Sequence, residues 1–110
     1  MKNEASRPGR PVRGSKTGRP IMAALDLLGR RGSLRILWEL REASLTFREL
    51  QAAAELPPAT LNTRLRELRE AGLVEADDGY KLSKLGQQLR AAVAPLSEWA
   101  QTWAKSLAAR

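Results

Sequence analysis

Apolar residues return every three or four positions along most of the chain, a spacing that lays out helices. Pro20 suits a first helical turn, where its missing N–H costs nothing. Ile21, Met22, Leu25 and Leu28 follow at helical spacing, and Gly29 offers a stop. Ser33 is in position to cap a second helix from Leu34 to about Glu42. Its apolar residues Leu34, Ile36, Leu37, Trp38 and Leu40 cover a wide arc, which predicts burial on most sides. Ser44-Leu45-Thr46-Phe47 is too short for a helix and reads as one extended bridge. Thr46 then caps a short third helix, with Glu49 at the capping-box position and Leu50 and Ala53 facing inward.

Leu56-Pro57-Pro58 is a turn, and Pro58 opens a fourth helix over about 58–71. Leu61, Leu65 and Leu68 form its inward stripe, which leaves Ala59, Asn62, Thr63, Arg66 and Glu70 on or near the opposite face. Gly72 follows as a left-handed cap. Residues 73–77 and 80–82 read as two short strands, and Asp78-Gly79 between them is a type I′ hairpin signal. Ser83 caps a long last helix with apolar residues at Leu85, Leu89, Val93, Leu96, Trp99 (or Ala100), Trp103 and Leu107. Pro95 inside it predicts a kink, because its ring clashes with the carbonyl of Ala91. The expected fold class is mainly α with a small β-hairpin: a winged helix-turn-helix with a long C-terminal dimerisation helix.

The 110 residues make one domain's worth of chain. They carry 19 Lys+Arg against 12 Asp+Glu, a net charge of +7. That charge is concentrated at the start, where Lys2, Arg7, Arg10, Arg13, Lys16 and Arg19 face only Glu4. The same stretch is rich in Pro and Gly and poor in apolar residues. It is expected to be a disordered basic arm, residues 1–19, ahead of a folded domain over 20–110.

Cysteine and histidine are both absent. That excludes disulfides, Cys/His zinc sites and Ser-His or Cys-His nucleophile pairs, and no glycine-rich phosphate loop follows a strand. No enzyme is expected and no cofactor. No apolar run reaches the roughly 18–20 residues of a membrane span. A cytoplasmic protein is expected, with a polyanion for a partner and no membrane.

A helix with a polar outer face, presented after a tight turn, fits the major groove of double-stranded DNA. On the fourth helix, Asn62 suits adenine, Arg66 suits guanine, Thr63 offers a methyl or a hydroxyl, and Ala59 leaves room for close approach. Arg64 and Arg69 flank this face as phosphate ligands, joined by Arg48 on the third helix and Lys81 in the hairpin. The bland alternative is a solvated face with opposite charges three or four apart, such as Arg66 and Glu70.

Arg64-Leu65-Arg66-Glu67-Leu68, followed by Gly72-Leu73-Val74 and by Tyr80-x-Leu82-Ser83-x-x-Gly86, resembles the HxlR-type winged-helix regulators, relatives of the MarR group. Ala24-Leu25-Asp26-Leu27-Leu28-Gly29, Ile36-Leu37-x-Glu39-Leu40 and Phe47-x-Glu49-Leu50 match the same pattern, over roughly residues 20–104. The resemblance implies a dimeric, sequence-specific DNA-binding regulator with Ala59, Thr60, Asn62, Thr63 and Arg64 on the recognition helix. Three departures stand out. Arg30-Arg31-Gly32 occupies the place of the family's usual Gly-Lys-Trp. The cysteine that many members carry before the first helix is missing, which excludes cysteine-based sensing. The wing is cut to Asp77-Asp78-Gly79, whose carboxylates repel phosphates, so it is not expected to enter the minor groove.

The arm offers a substitute. Arg7-Pro8-Gly9-Arg10-Pro11 and Gly18-Arg19-Pro20 resemble the Gly-Arg-Pro centre of an AT-hook, so Arg10, Arg13 and Arg19 are candidates for minor-groove or phosphate contacts. A solubilising tail that binds any DNA weakly is the alternative. The last helix, roughly 37 Å for about 25 residues, is too long for the body to cover. Met22, Leu25, Leu96, Trp99, Trp103 and Leu107 are therefore expected to form a homodimer interface, the alternative being that the tryptophans fold back within one chain. Trp38, Trp99 and Trp103 also admit a small apolar effector. A winged helix used for general DNA coating or for protein contacts, without an operator, is the competing function.

Overall fold

In the computed structural model, the described residues are 19–109 together with Pro8. The expected arm, with Arg10 and Arg13, lies outside them apart from Pro8 and Arg19. Among the described residues, six helices and one hairpin follow in order: α1 Pro20–Leu28, α2 Ser33–Glu39, α3 Phe47–Ala54, α4 Pro58–Glu70, β1 Val74–Ala76, β2 Tyr80–Leu82, α5 Lys84–Val93 and α6 Pro95–Ala108. The architecture is the winged helix-turn-helix that the apolar spacing predicts.

The core is a leucine cluster. Leu27, Ile36, Leu37, Leu40, Leu50, Leu61, Leu65, Leu68 and Leu82 are all buried in one contiguous group. Helix α2 sits at its centre, in contact with α1, α3 and α5, while α4 packs on β1 and α5 on β2.

Local signals decide several of the joints. Thr46 and Glu49 close the capping box in both directions: the Glu49 N–H donates to Thr46 Oγ1 at 3.1 Å and the Thr46 N–H to Glu49 Oε1 at 2.9 Å. Leu45 and Tyr80 form the isolated bridge, which adds a third short piece beside the hairpin. After α4, the Leu73 N–H donates to the Leu68 carbonyl and the Gly72 N–H to the Arg69 carbonyl, with Gly72 at φ +82°, a Schellman closure. Ser83 caps α5 by accepting from the Gly86 N–H at 3.0 Å while donating to the Gly72 carbonyl at 2.6 Å. Gly86 is required there: a Cβ on it would lie 2.1 Å from the Leu73 carbonyl oxygen.

The structure corrects the expected elements in five places. Ser33 is not the cap of α2. Gly32 takes that position at φ +88°, where a Cβ would also meet Leu56 Cδ1 at 2.7 Å, and Ser33 is buried as the first helical residue. Helix α2 stops at Glu39, short of Glu42: the Arg41 N–H turns back to the Trp38 carbonyl at 3.1 Å, and the Arg41 side chain follows, donating Nη1 to the same carbonyl at 2.9 Å with its guanidinium over the Trp38 ring. Trp38 itself is exposed, so α2 is not buried on most sides. On α3 the buried alanine is Ala54, one position beyond Ala53. The hairpin pairs Ala76 with Tyr80, which makes a three-residue loop of Asp77-Asp78-Gly79 with positive φ at both Asp78 and Gly79. Beyond these five, Pro95 interrupts the long last helix where the kink is expected, at Ala94, and the two pieces, α5 and α6, contact each other.

Candidate nucleic-acid interface

Three residues make the turn between α3 and α4. Glu55 takes the left-handed conformation at φ +54°, Leu56 is buried, and Pro57 is extended, so Pro58 enters α4 at its first turn. This pins the start of α4 to the core and leaves its outer side bare. Ala59, Asn62, Arg66 and Arg69 are exposed at successive steps of three and four residues, which puts them in one stripe. Thr60 and Thr63 are half-buried beside it. No acidic residue lies in the first turn of α4. Arg66 reaches Glu70 only at 4.0 Å, a loose exposed pair that a competing anion displaces at little cost.

Arg64 behaves differently from its neighbours. Its Nε donates to the Arg31 carbonyl at 2.8 Å and its Nη1 to Glu67 Oε1 at 2.9 Å. Glu67 is 4% exposed and also takes Arg30 Nη1 on its second oxygen at 2.9 Å. Arg30 in turn donates Nη2 to Asp26 at 2.8 Å. Arg64 therefore turns inward to the α1–α2 connection, away from the stripe that carries Arg66. Reading the residues one by one missed this network. The signal available was the spacing of three between Arg64 and Glu67, which serves a buried pair as well as a solvated one.

Arg48 is exposed in the first turn of α3, and Lys81 is exposed on β2, 3.9 Å from Glu75. Asp77 and Asp78 are both exposed at the hairpin tip. Arg19, also exposed, immediately precedes α1.

A second feature is apolar. No residue of α6 is buried. Trp99 and Trp103 are 55% and 54% exposed and stack on one another, with ring centroids 5.5 Å apart and planes 14° apart. They do not fold back into the core. Leu96 and Leu107 extend the same stripe at steps of three and four, and Ile21 and Leu25 are exposed on α1, with Met22 half-buried. Between α2 and the α5–α6 junction lies an open cavity of about 400 Å³ lined mainly by Leu34, Leu37, Trp38, Leu89, Val93 and Leu96.

The model of the HxlR-like helix-turn-helix family matches residues 27–108, from the end of α1 to the end of α6. The chain belongs to the HxlR-like helix-turn-helix family. Its curated relatives are HTH-type transcriptional regulators. One from Methanocaldococcus jannaschii is 27% identical over 88 residues, covering 74% of this chain and 83% of the relative. One from Mycobacterium tuberculosis is 34% identical over 90 residues, 74% of this chain but only 57% of the longer relative. YvaP of Bacillus subtilis is 32% identical over 89 residues, covering 73% and 82%. Among solved structures, quinone-bound YodB of B. subtilis superposes with a TM-score of 0.69 at 27% identity, covering 74% of this chain and 96% of YodB. This HxlR-like chain is thus a DNA-binding transcriptional regulator rather than an enzyme. Among its described residues no helix is long and apolar enough to cross a membrane.

Proposed function

We propose that this chain regulates transcription as a cytoplasmic homodimer that recognises a specific operator, associating with the nucleoid when bound. The observation that carries this reading is the bare outer stripe of α4 on a helix whose inner side is fully packed. Asn62 and Arg66 read base edges in the major groove, with Thr63 and Thr60 beside them and Ala59 allowing close approach. Arg69, Arg48 and Lys81 bind phosphates. Arg64 contributes by holding α4 in place, since two of its donors are already engaged.

The second protomer covers the exposed faces of α1 and α6, through Met22, Leu25, Leu96, Trp99, Trp103 and Leu107. Two tryptophans and two leucines left more than two-fifths exposed on one helix favour a partner surface over solvent. The twofold axis sets two α4 helices on successive major grooves, about 34 Å apart. Arg10, Arg13 and Arg19 add phosphate or minor-groove contacts, a task for which the acidic hairpin tip is poorly suited. The apolar cavity beside Trp38 suits a small apolar effector, in keeping with the quinone carried by YodB. With no cysteine in the chain, such a ligand binds without a thiol adduct.

Selection of bound fragments from genomic or random DNA tests the reading. Recovery of one inverted repeat, whose retarded band survives excess random DNA, is the expected result. Fragments without a shared sequence, and a band abolished by competitor, would instead identify general DNA coating.

A further inference from the structure

Glu67 is the only charged residue buried among the described residues, and it joins a network with Arg64, Arg30 and Asp26. Each of its oxygens accepts from a different arginine, Oε1 from Arg64 on its own helix and Oε2 from Arg30 in the α1–α2 connection. Arg30 uses the two ends of its guanidinium on two carboxylates: Nη1 on Glu67 and Nη2 on Asp26 of α1. Arg64 closes the circuit by donating Nε to the Arg31 carbonyl. Two links thus run from α4 to the turn that follows α1, and Arg30 carries one of them on to Asp26 of α1. Their geometry is directional, because a planar guanidinium bridging two carboxylates fixes angle as well as distance.

Leucines alone do not supply this constraint. Leu61, Leu65 and Leu68 hold α4 against the core, but apolar packing tolerates small rotations that a bridged ion pair resists. A rotation of α4 about its axis would carry Asn62 and Arg66 off their base edges while leaving their charge near the duplex. Burying such a network gives little stability compared with apolar side chains of the same size, so a role in orientation accounts for it better than a role in holding the fold.

We infer that Glu67 and Arg30 are positioning residues that set the rotation of α4 against α1 and thereby determine sequence preference, not DNA affinity as such. This rests on the operator reading above. Neither side chain touches DNA in this account, and both act through Asn62 and Arg66.

The test uses the full chain, its selected operator fragment and random DNA of the same length. Glu67→Gln keeps the shape of the side chain and removes its charge. Removing a negative charge strengthens binding to any polyanion, so affinity for random DNA stays level or rises. Affinity for the operator falls, and the ratio of the two drops about tenfold, the size of one base-specific interaction. Arg30→Lys keeps the charge but cannot bridge Asp26 and Glu67 with one planar group, and lowers the ratio in the same direction. If Glu67→Gln fails to fold, Arg30→Lys decides alone. A variant that melts earlier yet retains the wild-type ratio overturns the inference and leaves Glu67 a structural residue. A wild-type chain without any preference overturns the operator reading, and this inference with it.

Discussion

Arg64 and Arg66 are two residues apart on one helix and stand in different surroundings. Arg66 is exposed beside Glu70, and Arg64 is folded under the helix onto Glu67 and the Arg31 carbonyl. Arg66→Ala should leave the melting temperature nearly unchanged while relaxing preference at one operator position by about 1–3 kcal/mol. Arg64→Ala should do the reverse in a denaturant titration. It removes one of two partners from a buried carboxylate, at about 2 kcal/mol, less than the ~3–5 kcal/mol of a fully unpaired buried charge because Arg30 still pairs with it. Equal stability loss in both variants would contradict the division. The sequence could not separate the two arginines. Periodicity gives angles around the helix, but a long side chain at the edge of the buried stripe can turn either way, and the partner that decides lies 33 residues earlier at Arg31.

At the scale of elements, the legible parts are those governed by neighbours in sequence. The Thr46–Glu49 box, the Schellman closure at Gly72, the Ser83 cap and the proline start of α4 all involve residues within five positions of each other. The corrections come from contacts that cross the fold or from choices of nearly equal cost. The cap of α2 falls on Gly32 rather than Ser33, at a positive φ and against Leu56, where a side chain would have no room. Helix α2 ends early in a tighter turn, Arg41 N–H to the Trp38 carbonyl, and the hairpin loop gains one residue with Asp78 and Gly79 both at positive φ. The capping box matters for function, since α3 and its turn present α4. Thr46→Ala should cost about 1 kcal/mol. In a domain of this size that lowers the melting temperature by about 4–8 °C. Thermal scans that show no shift would mean that α3 is held by its apolar face alone.

At the scale of the whole molecule, charge and apolar surface divide between two regions with different tasks. Five of the seven net positive charges lie in the first twenty residues, so the folded part approaches DNA with little long-range attraction of its own. Its outer α4 stripe offers two arginines, and its hairpin tip offers two carboxylates in the place where a wing would meet phosphate. Affinity and preference should therefore come apart under truncation. Deleting residues 1–19 should weaken binding to the operator and to random DNA by similar factors, leaving their ratio intact. The slope of log affinity against log salt should flatten by about 0.9 for each phosphate that the arm neutralises. Four or more arm cations at the duplex would account for most of the salt dependence. An unchanged slope would place the electrostatic contacts on the folded body, and Arg48, Arg69 and Lys81 would then have to carry them. A fall in the operator-to-random ratio would show instead that the arm reads the minor groove, as its Gly-Arg-Pro sequences allow.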